Sequence, residues 1–195
     1  GQTTIPTAVF YRADAPSEQI DLVSGCLNAA GWDAALRRLR EAARAEDRVL
    51  GCIVFGLDDA SGLAERHGAP ALQQASVTLA TWASESAPTS AAVARLDERR
   101  IALLMPGMGV EDCQALAEHL RARVEDALAG EVAGAAARSL TVSAGIDVLP
   151  ASSPGAAMLG ERAEQAMNRV RRAGGNGLAL FSQLRAAPAA SRDES

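Results

Sequence analysis

The sequence predicts an α+β fold in which helices pack against a central mixed sheet. The first observation is that hydrophobic periodicity switches between the helical and the extended pattern, in the order helix, strand, helix, strand, strand, helix, strand, helix, strand. The second is that two short strands follow one another across a brief charged segment, which indicates a hairpin and therefore an antiparallel pair. A chain of 195 residues that is 48% hydrophobic has the size and composition of one globular domain.

The helices are predicted from apolar residues that recur at three- and four-residue intervals. Segment 111–128 is the clearest case, because its apolar residues fall on one face. The last helix ends at the glycine-rich turn 174–177, since glycine readily adopts the left-handed conformation that ends helices. Trp32 and Trp82 lie in helical apolar patterns and are expected in the core. Helices are predicted at 32–45, at 111–128 and at 156–173. A further helix is predicted to begin at the capping residues 58–61 and to run to about 84, with a break near 68–70.

The strands are predicted from short runs rich in Val, Ile, Leu and Phe. Residues 49–57 form a continuous apolar run, which is typical of a strand covered on both faces. Residues 91–96 and 101–105 flank the charged turn Asp97-Glu98-Arg99-Arg100, which lacks the Gly or Asn usual in a hairpin turn. Two further strands are predicted at 139–148 and 178–181.

The ends of the chain differ in composition from the middle. Residues 1–20 carry two prolines and are expected to form a leader or linker, and 184–195 a disordered tail. The domain is therefore predicted to span 21–183. The N-terminal segment has no basic residues followed by an apolar stretch, so we expect no signal peptide. We expect a cytoplasmic location.

Composition excludes several classes of function. The net charge of −5 argues against nucleic-acid binding, which usually shows a basic excess. All 19 basic residues are Arg, so a P-loop, a Schiff-base enzyme and a Ser–Lys dyad are excluded. Three widely separated cysteines predict neither a disulfide framework nor a zinc site. The longest apolar run, at 49–57, is far shorter than the roughly 20 residues that span a bilayer.

Five short motifs lie in a fixed order along the chain. They are DLVSGCLNAAGW at 21–32, IVFGLD at 53–58 followed by Gly68, VARLDERRIALLMP at 93–106, TVSAGI at 141–146 and AEQAMNRVRRAGGN at 163–176. In this order they resemble D-x-L-T-G-L-x-N-R-x-x-F, a strand with D-x-D and a later G-H, R-Y-G-G-D-E-F-A-I-L-L-P, T-V-S-I-G-V and A-D-x-A-L-Y-x-A-K-x-x-G-R-N. These are motifs of the GGDEF family, the diguanylate cyclases that join two GTP molecules into cyclic di-GMP. The resemblance covers about residues 21–181 and implies the GGDEF fold, with a mainly antiparallel sheet and the signature hairpin.

The resemblance implies a metal site that this chain lacks. Active members hold Mg²⁺ with the first Asp of D-x-D and the fourth residue of the signature, and those positions here are Gly56 and Arg100. A cation repels a metal ion and does not coordinate it. The two signature glycines, which let the backbone approach the nucleotide, fall on Asp97 and Glu98.

The other site positions that the resemblance implies are also altered. The Asn and Asp that read guanine fall on Ala64 and Gln73, and the product-inhibition motif R-x-x-D falls on PTSA at 88–91. Of the two cations that face phosphate, Arg171 replaces the Lys, whereas Gly175 replaces the Arg. We therefore predict a pseudoenzyme with no catalytic residues, no metal and no cofactor.

For three features of the sequence, two interpretations remain open. Asp58, the second Asp of D-x-D, and Asp59 suit an N-cap, and the alternative is a residual metal site. The turn that contains Asn176 suits a helix end, and the alternative is a phosphate cradle. The signature positions 97–100 suit an exposed turn with local ion pairs, and the alternative is a contact with a partner.

The sequence as a whole predicts a regulatory or protein-interaction module in bacterial cyclic di-GMP-linked signalling. Its expected partner is another protein or an upstream signalling domain, with a homodimer as a further option, and neither nucleic acid nor a membrane. The alternative is a sensor that binds GTP or cyclic di-GMP without turnover, for which Arg99, Arg171 and Asn176 would supply the contacts. A sensor would be stabilised by its ligand, and a docking module would not.

Overall fold

A five-stranded sheet forms the centre of the computed structural model, which describes residues 15–130 and 140–186. Its strand order is β2-β3-β1-β4-β5. The central strand β1 pairs antiparallel with β3 and with β4, β2 pairs antiparallel with β3, and β5 runs parallel to β4. The predicted mixed, mainly antiparallel sheet is thereby confirmed. The strands are β1 Val49–Leu57, β2 Ala92–Arg95, β3 Arg100–Pro106, β4 Val142–Pro150 and β5 Leu178–Leu180.

Six helices flank the sheet in the described part of the chain. The helix break predicted near 68–70 is confirmed at Gly68, which has a φ of 84°. The first helix begins before the predicted Trp32, because the Asn28 side chain caps it by accepting the Gly31 N–H at 3.0 Å. The helices are α1 Ala29–Ala45, α2 Ala60–His67, α3 Ala69–Ser86, α4 Val110–Gly130, α5 Leu159–Arg172 and α6 Phe181–Ala186, with 3₁₀ turns at Ser17–Gln19 and Pro154–Met158.

Strand β1 is buried on both faces, as its continuous apolar run predicts. Alternate side chains belong to two cores, because successive residues of a strand point to opposite faces. Ile53 and Phe55 join the core under α2, α3 and α4, whereas Cys52 and Val54 join the core under α1 and α5. Within the described residues, no helix combines the length and apolar character that a membrane span requires.

Helix α5 lies unusually close to β4 because Gly145 has no side chain. A Cβ at this position would collide with the Ala163 carbonyl oxygen and the Met167 amide of α5. The close approach brings α5 over the end of β1 as well, where the residues that resemble the family's D-x-D lie.

Some expectations from the sequence differ from the structure. Trp32 is buried in the core, as predicted. Trp82 is half-buried and packs against the core from α3, with the Arg123 guanidinium 4.5 Å from its ring centroid, so the core prediction holds only in part for Trp82. The strand predicted to start at 139 starts at Val142, and position 139 lies outside the described residues. Phe181, predicted to end β5, begins α6 instead.

Regular structure also extends past the predicted domain boundary at both ends. Within the predicted leader, the described residues include the 3₁₀ turn Ser17–Gln19 and a β-bridge between Ile20 and Leu27. Residues 184–186 of the predicted tail lie in α6. The rest of the leader, 1–14, and of the tail, 187–195, lie outside the described residues.

Candidate functional site

The charged hairpin keeps its two-stranded form without a glycine. Strand pairing extends to Arg95 and Ile101, and the Leu96 N–H donates to the Arg100 carbonyl at 2.9 Å. The Asp97 side chain closes the turn, because its Oδ1 accepts the backbone N–H groups of Arg99 and Arg100 at 2.8 and 2.9 Å. The Asp97 carboxylate thus stabilises, through these hydrogen bonds, a turn that a pair of glycines would permit through their conformational freedom.

The Arg100 guanidinium links the hairpin to α5. Its Nε donates to Asp97 Oδ2 at 2.8 Å, and its Nη1 contacts the Glu164 carboxylate. Partial burial is the largest single influence and would raise the pKa of Asp97. The hydrogen bond from the Arg100 side chain, the backbone N–H groups of Arg99 and Arg100 and the charge of Arg100 together outweigh it, so the pKa lies below its ordinary value. A guanidinium has donors and no lone pair to offer, so Arg100 is an internal cation and not a ligand for one.

Gly56, the other position that the resemblance assigns to a metal ligand, lies directly opposite Arg100 in the β1–β3 ladder. A Cβ on Gly56 would lie 2.6 Å from Met167 Sδ and 3.4 Å from Arg171 Cδ. Side chains of α5 therefore fill the space that a carboxylate at position 56 would enter.

The Asp58 carboxylate accepts hydrogen bonds from three other residues of the domain. Its Oδ2 accepts the Thr141 hydroxyl at 2.7 Å and the Asn176 N–H at 2.9 Å, and its Oδ1 accepts the Ser143 hydroxyl at 2.8 Å. The Arg171 Nε lies 3.9 Å from Oδ1, and the Asp58 side chain is only 13% exposed. Asp58 thus joins the end of β1 to the start of β4 and to the turn after α5, and the N-cap interpretation is wrong for this residue.

Asp59 occupies the N-cap position of α2 but makes no capping hydrogen bond. Its φ of 48° places it in the left-handed region, and its carboxylate accepts a hydrogen bond from Arg66 at 2.8 Å. That bond lowers the pKa of Asp59 below its ordinary value. Asp59 and Asp58 therefore have different hydrogen-bond partners, although both residues line the same cleft.

The glycine-rich turn ends α5, as predicted. The Gly175 N–H donates to the Val170 carbonyl at 3.0 Å, and Gly175 has a φ of 78°. A Cβ on Gly175 would lie 2.8 Å from Asp58 Cγ. The Asn176 side chain is committed elsewhere, because its Oδ1 accepts from Arg121 at 2.7 Å and its Nδ2 donates to Glu125 at 3.2 Å.

The structure brings two of the residues predicted for a residual nucleotide site to one cleft. Asp58 and Arg171 line this cleft, of about 510 Å³, together with Asp59 and Arg172. Arg100 lines a separate cleft of about 250 Å³ between the starts of α1 and α5. Arg99 and Asn176 line neither cleft, and Glu98 and Arg99 are exposed at the hairpin tip.

These residues do not fit the Mg²⁺ that the resemblance implies. Gly56 has no ligand atom, Arg100 is a cation, and the Asp58 oxygens already accept three hydrogen bonds. Across residues 15–130 and 140–186, no three His, Cys, Asp or Glu side chains are grouped so that they could hold a metal. The ion pairs and hydrogen bonds of this arrangement hold the hairpin and the turn after α5 in place.

Sequence reasoning missed the part that α5 plays in this region. Glu164, Met167 and Arg171 lie at three- and four-residue intervals, so they share one face of the helix. That face contacts Arg100, the space above Gly56, and Asp58 in turn. The spacing could have indicated the shared face, but the sequence does not indicate which strand end the face covers.

Known proteins resemble this chain in sequence motif and in fold. The family model described as "Diguanylate cyclase, GGDEF domain" matches residues 18–177. No curated protein sequence matches the chain.

Three solved structures illustrate the structural likeness. The coiled coil and GGDEF domain of DgcB from Caulobacter crescentus, in complex with c-di-GMP, has a TM-score of 0.75 at 19% identity, covering 88% of this chain and 87% of that one. The active GGEEF domain of a diguanylate cyclase from Vibrio cholerae has a TM-score of 0.71 at 20% identity, covering 80% and 97%. Diguanylate cyclase SiaD from Pseudomonas aeruginosa, in complex with its activator SiaC, has a TM-score of 0.71 at 20% identity, covering 83% and 61%. At these identities the likeness concerns the fold.

Proposed function

The chain belongs to the GGDEF family, and from that premise we propose that it is a catalytically inactive member that acts as a regulatory or protein-interaction domain in bacterial cyclic di-GMP signalling. The observation that carries the proposal is Arg100, which occupies a metal-ligand position of the signature and is paired with Asp97 and Glu164.

The chemistry of the family supports inactivity. Nucleotidyl transfer assisted by metal ions needs carboxylates that hold the ions against the triphosphate, because the ions neutralise charge that builds up in the transition state. Here Arg100 and Gly56 supply none, and the nearby Asp58 is engaged by Thr141, Ser143 and the turn after α5. Asp97 and Glu98 add negative charge where the resemblance places the nucleotide.

A role in protein contacts is supported by the ordered hairpin and its exposed, charged tip. The hairpin remains ordered by its own side chains, and its tip exposes Glu98 and Arg99. A rigid charged tip on an intact fold is suited to recognition, because little ordering entropy is lost when a partner binds. SiaD, which this chain resembles in fold, is recorded with a protein activator.

The proposal is tested by incubating the protein with GTP and Mg²⁺ and separating the products by chromatography. We expect no cyclic di-GMP, whereas the active Vibrio cholerae GGEEF domain under the same conditions serves as the positive control. Formation of cyclic di-GMP by this chain above the level of a GTP-only blank would overturn the inactivity.

A second candidate, nucleotide binding without turnover, is favoured by one observation. Arg171 and Arg172 line the 510 Å³ cleft beside the turn after α5, where they offset the charge of Asp58 and Asp59 and supply donors for a phosphate. A ligand at 100 times its dissociation constant adds about 2.7 kcal/mol of apparent stability. A rise in melting temperature with GTP or cyclic di-GMP that Arg171→Ala abolishes would support the sensor, and no rise with either nucleotide would exclude it.

A further inference from the structure

The cleft between the starts of α1 and α5 has features of a recognition site. It has a volume of about 250 Å³ and lies beside the hairpin, of which Leu96 and Arg100 contribute to its wall. Trp32 and Leu36 of α1 provide an apolar surface, and Met158, which is 50% exposed, stands at the start of α5. We refer to it as the Trp32 cleft.

The indole N–H of Trp32 is an unused donor. Trp32 is 6% exposed, and its Nε1 makes no hydrogen bond within the described residues. Every fully enclosed side-chain nitrogen or oxygen in that part of the chain has a partner, so this N–H reaches the surface. It does so beside Gly160, where a Cβ would lie 3.1 Å from Nε1 and would cover it. Because this N–H is accessible and bonded to no acceptor in the described part of the chain, it can donate a hydrogen bond to a ligand in the cleft.

The charges around the cleft favour a cation. Arg100 and Glu164 neutralise one another through their ion pair. Asp33 and Glu161 also line the cleft, both are exposed, and neither forms an ion pair in the described part of the chain. Two carboxylates therefore remain without a counter-charge at the rim, which attracts a cationic group and repels a phosphate.

We propose that the Trp32 cleft binds a peptide segment of a partner protein in which an Arg or Lys stands next to an apolar residue. This inference rests on the proposed role in protein recognition and specifies its surface. A backbone carbonyl of the segment accepts the Trp32 N–H, the cationic side chain meets Asp33 and Glu161, and the apolar side chain packs on Leu36 and Met158. A peptide is the class of ligand that brings these three groups together within one or two residues.

The two tryptophans make the proposal testable by NMR on the ¹⁵N-labelled full chain. Trp32 and Trp82 are the only tryptophans, so one indole N–H reports on the cleft and the other is an internal control. The probe is acetyl-Leu-Arg-amide, with acetyl-Leu-Glu-amide and acetyl-Leu-citrulline-amide as controls for charge. We expect the Arg probe to shift the Trp32 signal and to leave Trp82 unchanged, and the two control peptides to bind more weakly.

Two variants separate the contributions. Replacing both free carboxylates, D33N with E161Q, should weaken binding of the Arg probe about fivefold, since each exposed ion pair contributes modestly. Gly160→Ala covers the indole N–H while favouring the helix, so it should suppress the Trp32 shift without unfolding the domain. Glu111→Gln, at an exposed position on α4, is the matched control and should leave binding unchanged.

Several results would overturn the inference. They are no shift of Trp32 at several millimolar probe, equal binding of the Arg and Glu probes, or a shift of Trp32 by GTP or cyclic di-GMP in place of the peptide. The same samples are assayed for cyclic di-GMP synthesis. Product would refute the proposed inactivity whatever the titration shows, whereas a silent titration without product refutes the Trp32 cleft alone.

Discussion

Gly56 and Arg100 face each other across β1 and β3, and the Arg100 side chain turns to Glu164 of α5. The space above Gly56 is occupied by Met167, one turn further along the same helix. The two positions that the resemblance assigns to metal ligands are therefore both in contact with α5. A side chain introduced at position 56 would have to displace Met167.

We predict that Gly56→Asp destabilises the domain by about 1–3 kcal/mol, because the new side chain meets Met167, which is fully buried. Urea unfolding measures the effect. Gly109→Asp is the matched control, since a Cβ there has no atom within 4 Å, and it should not destabilise. Equal stability of the two variants would show that Met167 moves aside at no cost.

We predict that Asp58→Ala lowers the free energy of unfolding by about 3 kcal/mol. The substitution leaves the Thr141 and Ser143 hydroxyls and the Asn176 N–H without their acceptor in a largely buried setting. The neighbouring Asp59→Asn should have a small effect, because Asn tolerates the left-handed backbone at this position and the exposed carboxylate that it replaces pairs with Arg66 at the surface. Losses of the same size for both variants, measured by urea unfolding, would contradict the anchoring role of Asp58.

Local sequence patterns predict the framework well and the site poorly. The apolar run of β1, the break at Gly68 and the helix end at 174–177 are set by side chains within a few residues of each other, so their patterns are visible in the sequence. Asp58 is different, because its partners Thr141, Ser143 and Asn176 are more than 80 residues away along the chain.

The same reason explains the misplaced features. A capping role for Asp58 follows from local rules, and only the folded chain offers the stronger long-range acceptor role. The apolar pattern of α3 places Trp82 in the core, but Arg123 of α4 covers its ring at the surface. Glu164 gave no signal of its own, since an acidic residue on a helix is ordinarily solvated.

The Asp97 carboxylate should make stability depend on pH in the acid range. Partial burial raises the pKa of this carboxyl, but the Arg100 guanidinium and the backbone N–H groups of Arg99 and Arg100 together hold it below the ordinary value of 3.8. The Arg100 guanidinium also pairs with Glu164. A lowered pKa stabilises the fold above pH 3.8, and that contribution is lost as the pH falls through the folded-state pKa.

We therefore predict that Asp97→Asn lowers stability at neutral pH and gives a shallower loss of stability with acid than the unmodified chain. Urea unfolding at a series of pH values from neutral to acidic measures both. In an Arg100→Ala background the same substitution should change the slope less, because the guanidinium is gone and only the backbone N–H groups at 99 and 100 still lower the pKa of Asp97. An identical slope difference in both backgrounds would show that Arg100 is not the cause.

The contact between the hairpin and α5 depends on Arg100, and hydrogen exchange should show it. We predict that Arg100→Ala speeds exchange of the backbone amides at 96–100 and in the first turns of α5 by about fivefold, because the ion pair with Glu164 that joins the hairpin to α5 is lost together with the ion pair to Asp97 within the hairpin. Arg99→Ala is the matched control, since that side chain is exposed at the hairpin tip and forms no ion pair in the described residues. If both variants exchange alike, the turn formed by Asp97 is sufficient to order the hairpin, and the Arg100 side chain does not stabilise its contact with α5.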